Sequence, residues 1–168
     1  MENRTTADAF RTAMSRLGAA VSIVTTDGPA GCHGLTASAV SSVTDAPPTL
    51  LACVNRAAGA HDVLRANGVL CVNVLAGRHE ALSARFGRRG LTVEERFGDA
   101  GWHRLATGAP VLADAAVALD CRIARVVGVG THSVLFCEVV EIALAPEIGG
   151  LIYFNRAYHH LGGVPAHA

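Results

Sequence analysis

A chain of 168 residues falls within the ~100–200 residues of one domain, so residues 1–168 are read as a single domain. Apolar residues make up 51% and charged residues only 17%, which excludes disorder and points to a surface partly covered by a second copy of the chain. The 14 basic and 14 acidic residues cancel, which argues against a nucleic-acid surface, and with no lysine among them a Schiff base and a P-loop lysine are excluded.

The chain opens on a helical pattern, with Phe10, Met14 and Leu17 on one face, Thr6 or Asp8 as cap and Gly18 as stop. Residues 20–26, rich in valine, isoleucine and threonine, read as a strand. Residues 34–43 read as one extended segment of small and hydroxyl side chains, and residues 50–54 as a short apolar strand. A helix over 59–66, a strand over 69–75 and a helix over 80–86 follow. Residues 87–100 read as a glycine-rich, charged loop with room for a helical turn, and residues 102–112 as short extended pieces. Residues 115–129 and 132–144 are long β-branched runs around Gly128-Val129-Gly130, the pattern of a hairpin. Residues 151–154 read as a last short strand and residues 156–161 as a short helix or turn. Strands that dominate without regular strand–helix alternation indicate a mainly β fold with peripheral helices, a small barrel of about six or seven strands.

Cys32, Cys53, Cys71, Cys121 and Cys137 form no CxxC pair, which favours free buried thiols over disulfides or a zinc cage. The first thirteen residues are too polar for a signal peptide, and no stretch approaches the ~18 apolar residues of a membrane helix, so a cytoplasmic protein without a membrane partner is expected.

Five segments carry residues of chemical interest, and each also fits a plain structural role. Residues 34–44 have side chains small enough for a flat ligand to reach the backbone, or for tight packing on a helix. Residues 53–61 join a strand to a helix, where free N–H groups and Arg56 suit an anion. Arg85-Phe86-Gly87-Arg88-Arg89-Gly90 is an arginine-bearing loop that could clamp phosphate or simply be solvated. His132 follows a glycine turn, a place for proton transfer or for an ordinary exposed histidine. Tyr153-Phe154-Asn155-Arg156-Ala157-Tyr158-His159-His160 could stack on a ring or anchor the chain end. His159 and His160 lack companion ligands, so no metal site is expected. No GxSxG, HExxH or Walker motif is present.

In order along the chain, Val21-Ser22-Ile23-Val24-Thr25-Thr26, Gly34-Leu35-Thr36-Ala37-Ser38-Ala39-Val40, residues 42–51 running into Cys53-Val54-Asn55-Arg56, Gly130-Thr131-His132-Ser133-Val134, and Tyr153 to His159 resemble the flavin reductase family with the FMN-binding split β-barrel. The likeness is strongest to the reductase components of two-component flavin monooxygenases, of the pyrimidine-utilisation and 4-hydroxyphenylacetate types. The resemblance implies a homodimer that oxidises NADH, reduces FMN or FAD, and supplies diffusible reduced flavin to a partner monooxygenase. The alternatives are an oxidase with tightly bound flavin, or a flavin- or haem-binding module without turnover. By position, Thr36, Ala37, Ser38, Ala39 and Val40 would line the flavin ring. Asn55, Arg56, Ala57 and Ala58 would cradle its ribityl chain and phosphate, with Phe86, Gly87 and Arg88 completing that end. His132 would act at the nicotinamide, and Phe154, Asn155, Arg156 and Tyr158 would shape the NADH side. The chain departs from the family pattern at Thr131, where aspartate is common, and at Ala57 and Ala58, where serine is common. Alanines there leave phosphate to the backbone and Arg56, a looser hold that suits a flavin used as substrate.

Overall fold

The run of β-branched residues after position 115 folds back on itself as expected. In the computed structural model, which describes residues 5–165, strands β9 (Val117–Val129) and β10 (His132–Leu144) form a long antiparallel hairpin. Val129 and His132 close a two-residue turn whose Gly130 has φ +53°, a left-handed conformation that glycine adopts without steric cost. The preceding strands build outward from this hairpin: β2 (Ser22–Thr26), β3 (His33–Ala37), β4 (Val40–Asp45), β5 (Pro48–Asn55) and β6 (Val69–Val74). Together they give an antiparallel seven-stranded sheet in the order β3-β2-β6-β9-β10-β5-β4. A second sheet joins β1 (Ala19–Ala20) to β11 (Glu147–Phe154) and β12 (Ala157–Pro165), and β7 (Trp102–Arg104) pairs with β8 (Pro110–Leu112). Helix α1 (Ala7–Ser15) precedes the first strand, and α2 (Ala60–Asn67), α3 (Glu80–Gly87) and α4 (Val93–Phe97) lie in the connections.

Four expectations change. Residues 34–43 are two strands, β3 and β4, at opposite edges of the main sheet. Ser38 and Ala39 carry the chain across the gap, and Cys53 N donates to Ala39 O at 2.9 Å, continuing the β4–β5 pairing back to Ala39. Residues 20–26 divide at Val21, where the chain passes between sheets: Val21 N donates to Leu151 O and Leu75 N to Val21 O. Residues 156–161 are mostly strand, because Asn155 (φ +48°) and Arg156 (φ +62°) form the tight turn that matches strand twist and β12 then pairs with β11. The described residues thus hold twelve strands, more than the barrel alone requires.

Two apolar cores meet at β2, whose five residues are all buried. Val24 faces one, with Leu50, Val54, Leu64, Leu70, Val72 and Leu135 inside the barrel. Ile23 faces the other, with Leu75, Phe86, Leu112 and Leu151, flanked by Phe97 and Trp102. Phe10 and Met14 on α1 and Leu17 just beyond its end join neither core, and the three are 58%, 46% and 64% exposed. No helix of the described residues is long and apolar enough to cross a membrane.

Candidate active site

Strand β5 ends at Asn55, whose side chain shapes the turn into α2. Asn55 Oδ1 accepts from Ala57 N at 2.8 Å, and Asn55 O accepts from Ala58 N at 3.0 Å. Ala57, Ala58, Gly59 and Ala60 thereby form one wall of a cavity of about 400 Å³. N–H groups at a helix start lack intrahelical partners and attract anions; those of Ala57 and Ala58 are taken by Asn55 and that of His61 by Ala58 O, so an anion would meet this wall at Gly59 and Ala60. A buried bond fixes this wall: the His61 ring meets Ser133 Oγ on β10 at 2.9 Å, and its other nitrogen meets the exposed Asp62 at Oδ1, 2.8 Å away. Ser133 is buried and lines no cavity described here, so this Ser–His–Asp set is a brace rather than a nucleophile.

The opposite wall is the end of α3 and the loop after it. Phe86 is fully buried against Gly34, where a Cβ would lie 2.7 Å from Phe86 Cε1. Arg88, Arg89 and Gly90 line the opening. Behind them stands Arg96, only 6% exposed, whose Nη1 donates to Phe86 O at 2.8 Å and Nη2 to Arg88 O at 3.1 Å. Burial lowers the pKa of this guanidinium from its ordinary value, yet an arginine stays charged in proteins. Its helix, α4, is set by a capping box: Glu95 N donates to Thr92 Oγ1 at 3.1 Å and Thr92 N to Glu95 Oε2 at 2.8 Å. Three arginines therefore line the cavity, and among the described residues no aspartate or glutamate does.

Thr36 connects this cavity to the next. Its hydroxyl donates to Ser83 O at 2.5 Å, while Ser83 Oγ bonds the Tyr158 hydroxyl at 2.9 Å. Thr36 also lines a cleft of about 200 Å³ with Val21, Ser38, Tyr153 and Tyr158. Ser38 and Tyr153 lead on into a cavity of about 1110 Å³, walled by Ala39, Val40, Arg156 and α1. The three cavities run on from one another as one trough: three arginines line one end, Tyr153 and Tyr158 line the cleft beyond Thr36, and Tyr153 with Arg11, Arg156 and Asp8 lines the far end.

The trough gathers most of the residues singled out from sequence: Thr36, Ser38, Ala39, Val40, Asn55, Ala57, Ala58, Phe86, Gly87, Arg88, Arg156 and Tyr158. Ala37 offers only backbone, since its side chain is buried in the barrel core. Arg56 is set outside: it lies against Gly128, where a Cβ would overlap its guanidinium, because its neighbours Asn55 and Ala57 take the cavity side. His132 pairs across the ladder with Asn55 but is exposed, bonds Thr131 Oγ1 at 2.9 Å, and lines none of the three cavities. Phe154 and Asn155 also line none; Asn155 N instead donates to Ser15 O at 2.5 Å and fastens α1. Sequence reasoning missed Arg96 and His33, both of which line the first cavity. The Thr92-x-x-Glu95 capping signature was the available signal for Arg96.

No thiol is tuned as a nucleophile among those with a resolved shift. Burial, reinforced by Asp27 against Arg104, pushes Cys32 up to about 11, and burial pushes Cys137 up to about 12. Cys71 and Cys121 are raised further by the same cause.

The barrel, with this trough along it, defines a split-barrel protein. Residues 14–162 match the model of the flavin reductase like domain, and the chain belongs to that family. It is 60% identical over 156 residues to the FMN reductase (NADH) RutF of Ancylobacter novellus, spanning 93% of this chain and 86% of that one. Among solved structures, the NADH:FAD oxidoreductase SgcE6 of Streptomyces globisporus, in complex with NAD and FAD fragments, superposes with a TM-score of 0.83 at 27% identity, over 89% of both chains. BorF, the flavin reductase component of a bacterial two-component tryptophan halogenase, gives 0.86 at 27% identity, over 96% of this chain and all of that one. The chain is thus a flavin oxidoreductase by family.

Proposed function

We propose that this chain is an NADH-dependent reductase of FMN, with FAD as the other candidate flavin, that works in the cytoplasm as a homodimer and releases reduced flavin to a separate monooxygenase. The observation that carries the reading is the cavity lined by three arginines and, among the described residues, no carboxylate, joined through Thr36 to a cleft with two tyrosines. That polarity fits a flat ring with a phosphate tail. The names of the RutF and SgcE6 relatives supply NADH as reductant and FMN or FAD as acceptor, and BorF supplies the precedent of a separate oxygenating component.

On this reading Arg88, Arg89 and the start of α2 hold the phosphate, and Asn55 shapes the turn beside the ribityl chain. The Thr36–Val40 segment carries the ring. Backbone groups of Ser38 and Ala39, which lie between the ladders, face its polar edge as negative charge develops there. Tyr158, held by Ser83, and Arg156 orient the nicotinamide at the open end. The bound heterocycles supply the hydride chemistry themselves, which is why no triad or metal is required of the protein. Exposed Phe10 and Met14 on α1, Leu17 just after it, and Val140, Ile142 and Leu144 on β10 provide apolar surface for a second copy.

A steady-state matrix of NADH and NADPH against FMN, FAD and riboflavin tests the proposal. Oxidation of NADH is expected only when free flavin is added, with FMN used best and with the flavin lost on dialysis. No turnover with any pair refutes it, and yellow colour that survives dialysis selects the tight-binding alternative. His132→Ala, at an exposed residue outside the trough, is expected to change kcat/KM for NADH by less than about twofold; a loss on the order of a hundredfold with FMN affinity unchanged would put His132 back at the nicotinamide.

A further inference from the structure

The wall formed by Phe86, Gly87 and Arg88 is the C-terminus of α3, the wrong end of a helix for an anion. Carbonyls there carry roughly half a negative charge in sum and repel phosphate. Arg96 changes that. Its two hydrogen bonds go to Phe86 O and Arg88 O, at 2.8 and 3.1 Å, and none goes to a carboxylate among the described residues. Its guanidinium also lies 5.9 Å from the Phe86 ring centroid, so charge, carbonyls and cavity wall form one packed unit. Arg96 lines the cavity itself.

We propose that Arg96 is a positioning residue: a buried countercharge that converts the C-terminus of α3 from an anion-repelling into an anion-accepting wall, so that flavins bearing a phosphate group are favoured over riboflavin. This inference rests on the reading of the cavity as the phosphate end of a flavin site. A purely structural brace would act differently, because losing it would loosen the wall for every flavin alike.

The test is equilibrium titration by flavin fluorescence quenching, at fixed ionic strength, of the full chain and of Arg96→Gln and Arg96→Lys with FMN and with riboflavin. Arg96→Gln is expected to weaken FMN about tenfold, equivalent to about 1.4 kcal/mol, and to leave riboflavin within about twofold. Parallel loss of both flavins, or no loss of FMN, overturns the proposal. Arg96→Lys keeps the charge but not the planar fork. It decides the matter alone should the glutamine variant not fold: an FMN-to-riboflavin affinity ratio within about threefold of the unaltered protein supports the countercharge, and a tenfold fall overturns it. An unaltered protein that binds neither flavin refutes the flavin reading itself. One that binds both equally refutes only the phosphate placement and, with it, this role for Arg96.

Discussion

The two ends of the trough are built differently. At the arginine end each wall is fixed by buried groups: Phe86 on Gly34, Arg96 on two carbonyls, His61 on Ser133. At the tyrosine end one wall is a hairpin tip and another is α1, a helix with no buried residue. Two contacts tie them, Asn155 N to Ser15 O at 2.5 Å and Arg156 Nη2 to Thr12 Oγ1 at 3.2 Å. Walls set before binding cost little ordering when a ligand arrives, and lightly packed elements open locally at small cost. Under the proposed function, affinity resides at the first end and exchange of reactants at the second.

Gly34→Val should break the rigid end most severely. Its Cβ would meet Phe86 Cε1 at 2.7 Å and Val24 O at 3.2 Å, and the backbone oxygen cannot yield. A loss of about 3 kcal/mol in unfolding free energy is expected, together with loss of flavin binding; an unchanged denaturation midpoint would show that this end is soft. Replacing Arg88 and Arg89 together by Gln should weaken FMN on the order of tenfold to a hundredfold, as lost charge-assisted hydrogen bonds do, without moving the midpoint. A parallel loss of riboflavin affinity would mean that these arginines do not face phosphate.

At the open end effects shrink. Tyr158→Phe removes the bond to Ser83 Oγ, and should cost about 1 kcal/mol of stability while raising the KM for NADH more than the Kd for FMN. The opposite order would place the flavin ring, not the nicotinamide, beside Tyr158. Arg156→Gly should change least. Relief of a left-handed arginine, about 1 kcal/mol, offsets the lost Thr12 contact, so the melting temperature stays level or rises while KM for NADH increases modestly. A clear fall in melting temperature would show that the hairpin tip is held more firmly than its two contacts imply.

What the sequence disclosed follows the same division. The β9–β10 hairpin was legible because β-branched runs flank a glycine turn, and the α2 start because Asn55 and Gly59 punctuate it. The break at Ser38–Ala39 was not, since residues on both sides are equally small and the division is imposed by closure of the sheet. The β11–β12 turn escaped because Arg156 stands where such turns usually carry glycine. Positions along the trough came from the family resemblance, but side-chain direction did not come with them. Arg56 was placed at the phosphate by its turn, and the chain points it away. Arg96 escaped because its loop is short and charged, and only the capping signature at Thr92 and Glu95 marks a helix there.

Strand β2 has a consequence for how the molecule breathes. All five of its residues are buried, it is bonded to β3 on one side and β6 on the other, and it belongs to both apolar cores. No partial opening can wet it without dismantling both, so its amides should be the last to take up deuterium and should report the free energy of complete unfolding.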